Sequence, residues 1–189
     1  MPHISILSSS IRVERKSHRV ARYFKNYLEE NAIATVEILD LNQYNFPLFN
    51  ERLRLQQSPT KDTLSFTEKI KQSEGVLIVT PEYNGGYPAS LKNVIDLLYD
   101  EWYHKPVAIA TVSEGPFGGS QVITQLQFML WKMRAWVASS LFPVPKIREA
   151  FDEAGIPTDK LATDKRAEKF IHEFLWLMEA KSRMTDSEL

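Results

Sequence analysis

The sequence predicts an α/β protein built on a doubly wound parallel sheet, and three observations lead to that fold class. Predicted strands and helices alternate along the chain, which is the pattern of repeated βαβ units. Residues 76–80 and 107–112 are almost continuously apolar, as strands covered by helices on both faces are. A chain of 189 residues, 43% hydrophobic and 25% charged, has the length and composition of one domain with its own core. We therefore expect residues 1–189 to form a single domain.

The first part of the chain predicts two strands and two helices. Residues 3–7 and 35–41 are short, strand-like runs rich in β-branched residues. Apolar residues recur at helical spacing in 17–31 and predict a helix there. Ser58 and Pro59 predict the start of the next helix, with the serine as N-cap and the proline as first helical residue. That helix carries the apolar residues Leu64, Phe66 and Ile70.

The second part predicts three strands, counting the two apolar runs, and three helices. Residues 137–142 are a plausible fifth strand. The helices are expected at 88–99, at 118–136 with apolar residues on more than one side, and at 159–180. The first of these presents Leu91, Val94, Ile95 and Leu98 on one face, and the last turns Phe170, Ile171, Phe174 and Leu177 inward.

Five strands alternating with five helices imply right-handed crossovers, and two strand orders fit that count. One is the flavodoxin-like order 2-1-3-4-5, and the other is half of a dinucleotide-binding fold. In both, ligands bind beyond the carboxyl ends of the strands, near the point where the strand order reverses. The loops after strands one, three and four are therefore where we look for chemistry.

Composition argues against several classes of protein. With 23 Lys and Arg against 24 Asp and Glu, the formal charge of −1 is unlike that of a nucleic-acid binder. The absence of cysteine excludes disulfides and thiol nucleophiles. The four histidines, His3, His18, His104 and His172, show no metal-ligand spacing, so we expect no metal site. The sequence has neither a secretory leader nor a bilayer-spanning segment, so we expect a cytoplasmic protein without a membrane partner.

The loop after the first predicted strand, residues 8–19, has the chemistry of a phosphate site. It combines serine hydroxyls, basic side chains and the N-terminus of a helix, all of which attract an anion. It lacks both the GxGxxG and the Walker spacing, which argues against a dinucleotide-binding loop or the phosphate-binding loop of an NTPase. The alternative is a polar capping turn in which Ser17 is simply the N-cap.

The loop after the third strand, residues 80–93, contains two prolines, two adjacent glycines and two tyrosines. Prolines stiffen a loop and glycines allow close backbone approach, so this segment suits the edge of a planar heterocycle. The alternative is a tight turn whose tyrosines pack on the protein surface.

The loop after the fourth strand, residues 113–121, contains three glycines and a proline at a helix start, which by itself is a weak indication of a binding site.

Together the three loops resemble those of the NAD(P)H-dependent FMN reductases, which have a flavodoxin-like fold and include quinone, chromate and azo-dye reductases. The matching residues are Ser10-Ile11-Arg12 with Ser17, Pro81-Glu82-Tyr83-Asn84 with Pro88 and Leu91-Lys92-Asn93, and Ser113 with Gly118-Gly119. Asp40-Leu41 followed by residues 46–50 also resembles the family. The resemblance covers about residues 3–136 and implies a three-layer sandwich with a five-stranded parallel sheet in the order 2-1-3-4-5.

The resemblance implies a cofactor, a co-substrate and a set of binding residues. FMN would be bound, with NADPH or NADH delivering hydride to flavin N5 and two electrons then passing to a small-molecule acceptor. Candidate acceptors are flavin, a quinone, an azo compound or a metal oxyanion. No acid–base residue is required of the protein. The FMN phosphate would contact Ser10, Arg12 and Ser17. The isoalloxazine would be lined, largely through backbone groups, by Pro81, Glu82, Tyr83, Asn84 and Gly85. Ser113 and Gly118 would flank the other side of the ring.

The chain departs from the family pattern at three positions. The family usually has glycine where Ser9 and Ala89 stand, and asparagine where Arg19 stands. The extra basic residues Arg15, Lys16 and Arg19 would either strengthen the phosphate site or face water.

Helices 88–103 and 118–136 carry more apolar residues than one sheet contact needs. We expect them to form a homodimer or homotetramer interface, the alternative being a thick monomer core. Arg52 and Arg54 would then reach the neighbour's site. Two other functions remain open at this stage: a flavodoxin-like electron carrier, although such chains are typically acidic, and a flavin-binding regulatory module without NAD(P)H turnover.

Overall fold

A single five-stranded sheet lies at the centre of the computed structural model, which describes residues 1–185. Its strands are β1 (His3–Ser8), β2 (Thr35–Asp40), β3 (Gly75–Pro81), β4 (Pro106–Val112) and β5 (Trp136–Val144). All neighbouring pairs are parallel, and the order is β2-β1-β3-β4-β5. This confirms the flavodoxin-like order and excludes half of a dinucleotide-binding fold.

Helices cover both faces of the sheet and make the predicted three layers. They are α1 (Ser17–Glu30), α2 (Lys61–Gln72), α3 (Ala89–Leu97), α4 (Ser120–Lys132), the four-residue α5 (Ile147–Ala150) and α6 (Lys160–Thr185). Helices α1 and α6 pack on one face, and α2, α3 and α4 pack on the other. None of the helices described is long and apolar enough to cross a membrane.

Strand β3 shows why the middle of a central strand of this fold is apolar on both faces. Leu77 and Val79 enter the core beneath α1 and α6, whereas Val76 and Ile78 enter the core on the opposite face. All four side chains are fully buried. Because alternate residues of a strand point to opposite faces, a strand covered on both faces buries consecutive apolar side chains in two cores.

Helix α2 begins later than predicted, at Lys61 instead of Pro59. The Thr60 hydroxyl accepts a hydrogen bond from the Thr63 backbone N–H at 3.1 Å, so Thr60 is the N-cap rather than Ser58. Phe66 and Ile70 are buried as expected, but Leu64 is exposed.

Helix α4 is shorter than predicted at both ends, because residues in left-handed backbone conformations flank it. Gly118 and Gly119 have φ of 62° and 76°, and Arg134 has φ of 60°. Trp136 consequently belongs to β5. In α6, Phe170, Ile171 and Phe174 are buried as predicted, while Leu177 is only partly buried, and Met178 lies in the core.

A buried lysine caps the C-terminal end of α2. The Lys105 ammonium donates to the carbonyls of Ile70, Ser73 and Lys71 at 2.8, 2.5 and 3.4 Å. Burial lowers the pKa of Lys105 to about 8, and repulsion by Lys181 acts in the same direction, while attraction by Glu74 opposes it. The ammonium therefore satisfies carbonyls that a helix end leaves without partners.

We predict that Lys105→Met lowers the free energy of unfolding by about 1–3 kcal/mol, because buried carbonyls lose their donor. The folded chain holds the Lys105 proton less tightly than the unfolded chain does, since the pKa falls from 10.5 to about 8. Between these pH values the unfolded state binds more protons, so the contribution of Lys105 to stability rises with pH. The difference in the free energy of unfolding between wild type and variant, measured by urea unfolding, should therefore be larger at pH 10 than at pH 7.5. Lys165→Met, at an exposed position of α6, is the control. A difference in the free energy of unfolding between wild type and Lys105→Met that does not change with pH would contradict the lowered pKa.

Candidate cofactor site

The strand order reverses between β1 and β3, and a cavity opens there beyond the carboxyl ends of the strands. Its volume is about 90 Å³, and its walls come from the loops after β1, β3 and β4, together with Ile147 of α5. Seven of the ten predicted site residues line it: Ser10, Arg12, Ser17, Pro81, Glu82, Tyr83 and Ser113. The other three, Asn84, Gly85 and Gly118, lie outside its walls. The three loops that the sequence singled out thus meet at one crevice.

The phosphate end of this crevice holds unsatisfied donors. The N-cap position of α1 is taken by Lys16, and no side chain caps the first turn, so the interpretation of Ser17 as the N-cap is wrong. The hydroxyls of Ser9 and Ser17 are buried and have no hydrogen-bond partner within residues 1–185. Buried hydroxyls without partners beside a helix N-terminus fit an anion such as the FMN phosphate.

Two of the three extra basic residues are already engaged by protein groups. Arg15 makes an ion pair with both carboxylate oxygens of the buried Asp40 and donates to the Ser10 carbonyl at 3.0 Å. Arg19 is buried and donates to the Phe151 carbonyl at 2.7 Å and to the Glu153 carboxylate. The expectation that these side chains face water is therefore wrong for Arg15 and Arg19. Both fix the position of the phosphate loop or of α1.

Two basic side chains of this loop remain available to an anion. Arg12 and Lys16 both line the cavity, and neither has an ion-pair partner among the residues described. The Arg12 guanidinium carbon lies 5.6 Å from the centroid of the Tyr83 ring, a cation–π contact that holds it over the crevice. The predicted phosphate contact of Arg12 is therefore compatible with its position.

A serine, a histidine and an aspartate meet beneath the same loop, but they do not form a catalytic triad. Nδ1 of His18 lies 3.0 Å from Ser8 Oγ and 3.8 Å from Asp40 Oδ2. A triad needs one ring nitrogen for each partner, and here both partners face the same nitrogen. Ser8 is also fully buried. Burial lowers the pKa of His18, with the Asp40 charge opposing that shift, so the group is a structural polar cluster.

Tyr83–Gly86 forms a tight two-residue turn at the opposite end of the cavity. Tyr83 and Gly86 exchange backbone hydrogen bonds of 2.7 and 3.0 Å, and Asn84 and Gly85 have φ of 52° and 80°. Two consecutive positive φ values are typical of a type I′ turn, which asparagine followed by glycine favours. The Glu82 N–H is also used, in a bond to the Val112 carbonyl. Within the described chain, the backbone N–H groups of Asn84 and Gly85 thus remain free to bind a ring edge.

Side chains that the sequence did not single out hold this turn in place. Gln125 of α4 donates to the Gly85 carbonyl at 2.7 Å, and Gln121 Oε1 would lie 3.2 Å from a Cβ at Gly85. On the other side, the hydroxyls of Ser10 and Tyr83 are 2.5 Å apart and join the phosphate loop to the turn. In the sequence, the one indication that Gln121 and Gln125 support the turn is their four-residue spacing, which places them on one helix face.

Ser113 and Gly118 occupy different environments, although the resemblance assigns both to the ring. Ser113 lines the cavity and is fixed by its N–H bond to the Val144 carbonyl and by the Ile147 N–H, which donates to the Ser113 carbonyl. A Cβ at Gly118 would lie 2.9 Å from the Val144 nitrogen. Close packing against β5 and a positive φ therefore explain the glycine at 118, whose contact with a ring stays a prediction.

Comparison with known proteins agrees with this geometry. Residues 2–149 match the family of NADPH-dependent FMN reductases. The chain is 34% identical over 140 residues to the NAD(P)H-dependent FMN reductase LOT6 of Saccharomyces cerevisiae, covering 67% of this chain and 72% of that protein. It is 36% identical over 122 residues to a quinone reductase of Pseudomonas putida, covering 61% and 62% of the two chains.

Solved structures show the same fold. The flavoenzyme NAD(P)H:(acceptor) oxidoreductase FerB of Paracoccus denitrificans has a TM-score of 0.76 at 24% identity, over 95% of this chain and 98% of that one. An oxidoreductase of Corynebacterium diphtheriae has a TM-score of 0.72 at 18% identity, with the same coverage. These structures show that the chain has the flavodoxin-like fold.

The chain belongs to the family of NADPH-dependent FMN reductases, since the family match spans most of its length. It is therefore an oxidoreductase that uses FMN and a reduced nicotinamide nucleotide, which confirms the expected cofactors. The electron carrier and the regulatory module are accordingly set aside.

We predict that Arg15→Met destabilises the protein by about 3 kcal/mol, because it leaves the buried Asp40 carboxylate without its cation. Thermal or urea unfolding of the flavin-free protein measures this loss. Lys16→Met is the matched control, since Lys16 has no ion pair in the described chain, and its stability should stay within about 0.5 kcal/mol of wild type. Equal stabilities of the two variants would show that the Arg15–Asp40 pair does not anchor the loop.

Proposed function

We propose that this enzyme passes two electrons from NADPH or NADH, through FMN held in the crevice described above, to a small-molecule acceptor. The observation that carries the proposal is the pairing of two features across one cavity. Ser17, whose buried hydroxyl has no partner in the described chain, lines one end at the uncapped start of α1. Tyr83 lines the other end and begins the turn whose free N–H groups, at Asn84 and Gly85, lie just beyond the cavity wall.

The loop after β1 would hold the phosphate. Ser10 and Ser17 supply hydroxyls, Arg12 supplies a positive charge held over the crevice by Tyr83, and the N-terminus of α1 supplies its partial positive charge. Because Arg15 and Arg19 are bound to protein carboxylates, they add no direct contact but keep the loop and the helix in place.

The turn 83–86 would orient the flavin ring. In the proposed complex the N–H groups of Asn84 and Gly85 donate to the polar edge of the ring, with Pro81 and Glu82 along one side and Ser113 opposite. Bound FMN supplies the hydride chemistry, accepting from nicotinamide and delivering to the acceptor. The protein's part is to fix the ring and leave one face open, and this requires no acid–base side chain.

We propose the identity of the electron acceptor from the names of the relatives. Relatives named FMN reductase and quinone reductase favour free flavin or a quinone over an azo compound or a metal oxyanion. We also propose a cytoplasmic location, where reduced nicotinamide nucleotides are supplied.

We predict that Arg12→Met weakens FMN binding roughly 10- to 100-fold, the loss expected for a charge-assisted hydrogen bond, and that Ser17→Ala weakens it about fivefold. Fluorescence titration of the flavin-free protein with FMN measures both constants, with Lys165→Met as an exposed control. Anaerobic addition of NADPH or NADH to the FMN complex should bleach the flavin band within the mixing time. A bound flavin that neither nucleotide bleaches would overturn the proposed activity.

We further propose that segments 88–103 and 118–136, which contain the shorter helices α3 and α4, form a homodimer or homotetramer interface. Phe128 and Trp131 on the outer face of α4 are 65% and 64% exposed, and Tyr103 is half exposed beside Arg134. Aromatic residues and arginine are enriched in protein interfaces, and an uncovered patch of this kind favours aggregation. Part of the predicted excess of apolar residues lies inside the monomer instead, since Leu97, Leu98 and Trp102 are buried.

The role of Arg52 and Arg54 in a neighbour's site stays a prediction. Both stack on Tyr99 of their own chain, at 4.4 and 5.2 Å from the ring centroid, and Arg54 also pairs with Asp100 at 3.5 Å.

We predict that Trp131→Glu converts the oligomer to a monomer, because a charge at the centre of an apolar interface cannot be desolvated cheaply. Size-exclusion chromatography with light scattering measures the mass. Trp176→Glu on α6 is the matched control, since Trp176 is equally exposed but lies outside the two helices. An unchanged mass for Trp131→Glu would place the interface elsewhere.

A further inference from the structure

The turn at residues 83–86 is held from two sides, and its second half depends on helix α4. At the first residue of the turn, the Tyr83 hydroxyl lies 2.5 Å from the Ser10 hydroxyl, which joins the turn to the loop after β1. The third and fourth residues, Gly85 and Gly86, have no side chains that could make such a contact. Their position is set instead by side chains that reach them from α4.

Three residues of α4, spaced four apart, contact the turn and the residue after it. Gln125 Nε2 donates to the Gly85 carbonyl at 2.7 Å. Gln121 lies one helical turn earlier, and its Oε1 would be 3.2 Å from a Cβ at Gly85. Met129 lies one helical turn later, and its sulfur accepts a hydrogen bond from the Tyr87 hydroxyl at 3.4 Å. Since residues four apart share one face of a helix, this face of α4 supports the turn over its second half.

The hydrogen bond from Gln125 fixes a peptide group that the turn itself leaves free. Tyr83 and Gly86 exchange two backbone hydrogen bonds, which close the turn but do not use the Gly85 carbonyl. Asn84 and Gly85 have φ of 52° and 80°, and a residue other than glycine keeps such a conformation only where its surroundings impose it. By donating to the Gly85 carbonyl, Gln125 ties this strained turn to a helix.

Gln125 can act on a ligand only through the turn. Its amide nitrogen is used by the Gly85 carbonyl, and its Oε1 lies near Gly86, 3.7 Å from where a Cβ would be. It is also absent from the walls of the cofactor cavity. The groups that a ring would meet are the free N–H groups of Asn84 and Gly85. A side chain that fixes such donors in advance reduces the entropy lost when a ligand binds.

We infer that Gln125 is a positioning residue for the flavin ring, because its hydrogen bond to the Gly85 carbonyl fixes the direction of the free N–H groups at Asn84 and Gly85. The inference rests on the proposed function, in which this turn meets the ring, and it adds a residue of α4 that controls ring binding but not phosphate binding. Reduction of the ring increases the negative charge at its polar edge, so fixed donors there favour the reduced form over the oxidised form. Gln125 therefore also raises the reduction potential of the bound flavin.

Flavin binding tests the two ends of the crevice separately. Gln125→Met keeps the length of the side chain but removes the donor, so it should weaken both FMN and riboflavin, which lacks the phosphate, by about tenfold. Fluorescence titrations of the flavin-free full chain measure both dissociation constants, and their ratio should stay at the wild-type value. Arg12→Met should instead change this ratio, because it weakens FMN more than riboflavin. A Gln125→Met chain that binds riboflavin as wild type does would overturn the inference.

Two further variants separate the hydrogen bond from a general effect on α4. Gln127→Met makes the same exchange two residues along the helix, at a side chain without a hydrogen-bond partner among the residues described, and should bind both flavins as wild type does. Gln125→Lys keeps a donor within reach of the Gly85 carbonyl and should bind riboflavin within about threefold of wild type. Weak binding by Gln127→Met, or binding by Gln125→Lys as weak as by Gln125→Met, would overturn the role of the donor.

The reduction potential is a readout that a purely structural role would not change. In Gln125→Met, reduced FMN should lose about tenfold more affinity than oxidised FMN, which lowers the potential of the bound flavin by about 30 mV. Equilibration with a reference dye measures this potential, and an unchanged value would overturn the inference. Wild-type protein whose bound flavin is bleached by neither NADPH nor NADH would reject the proposed activity alone, because the binding and potential measurements need no nicotinamide.

Discussion

The ion pair between Arg15 and Asp40 is the interaction on which the candidate cofactor site depends. It joins the loop after β1 to the carboxyl end of β2, and Arg15 at the same time holds the Ser10 carbonyl. Because the Asp40 side chain is almost fully buried, the pair is poorly screened and each charge needs the other. The loop after β1, which we propose binds the phosphate, is thereby fixed to the sheet by the protein's own side chains.

From that anchored loop, hydrogen bonds extend across the whole crevice. Ser10 reaches Tyr83 of the tight turn, the turn is held from behind by Gln125, and Ser90 ties the start of α3 back to Ser9. A site whose ligand-binding groups are held in this way has less conformational entropy to lose on binding. The rigidity expected of the loop after β3 thus comes from its neighbours as much as from its prolines and glycines.

The outer face of α4 connects the flavin site with the proposed subunit interface. Gln121 and Gln125 support the turn at the N-terminal end of the helix, and Phe128 and Trp131 continue along the same exposed face. A partner subunit covering Phe128 and Trp131 would also restrain the helix that holds the turn. In that proposed arrangement one helix would contact both the subunit interface and the turn 83–86.

The sequence alone determined the five strands, the main helices and the three loops that meet at the crevice, whereas the strand order, the short helix α5 and several helix ends came from the structure. Runs such as 76–80 can be buried on both faces only in a sheet covered by helices, and the three loops follow from the direction of parallel strands. Only the tertiary structure decided what individual polar side chains do. The Arg19 guanidinium donates to the Phe151 carbonyl, 132 positions away, and Arg15 pairs with Asp40, 25 positions away, so both side chains are engaged by the protein itself. Local pattern cannot predict such partners, because they depend on which distant backbone or carboxylate the fold brings within hydrogen-bonding distance.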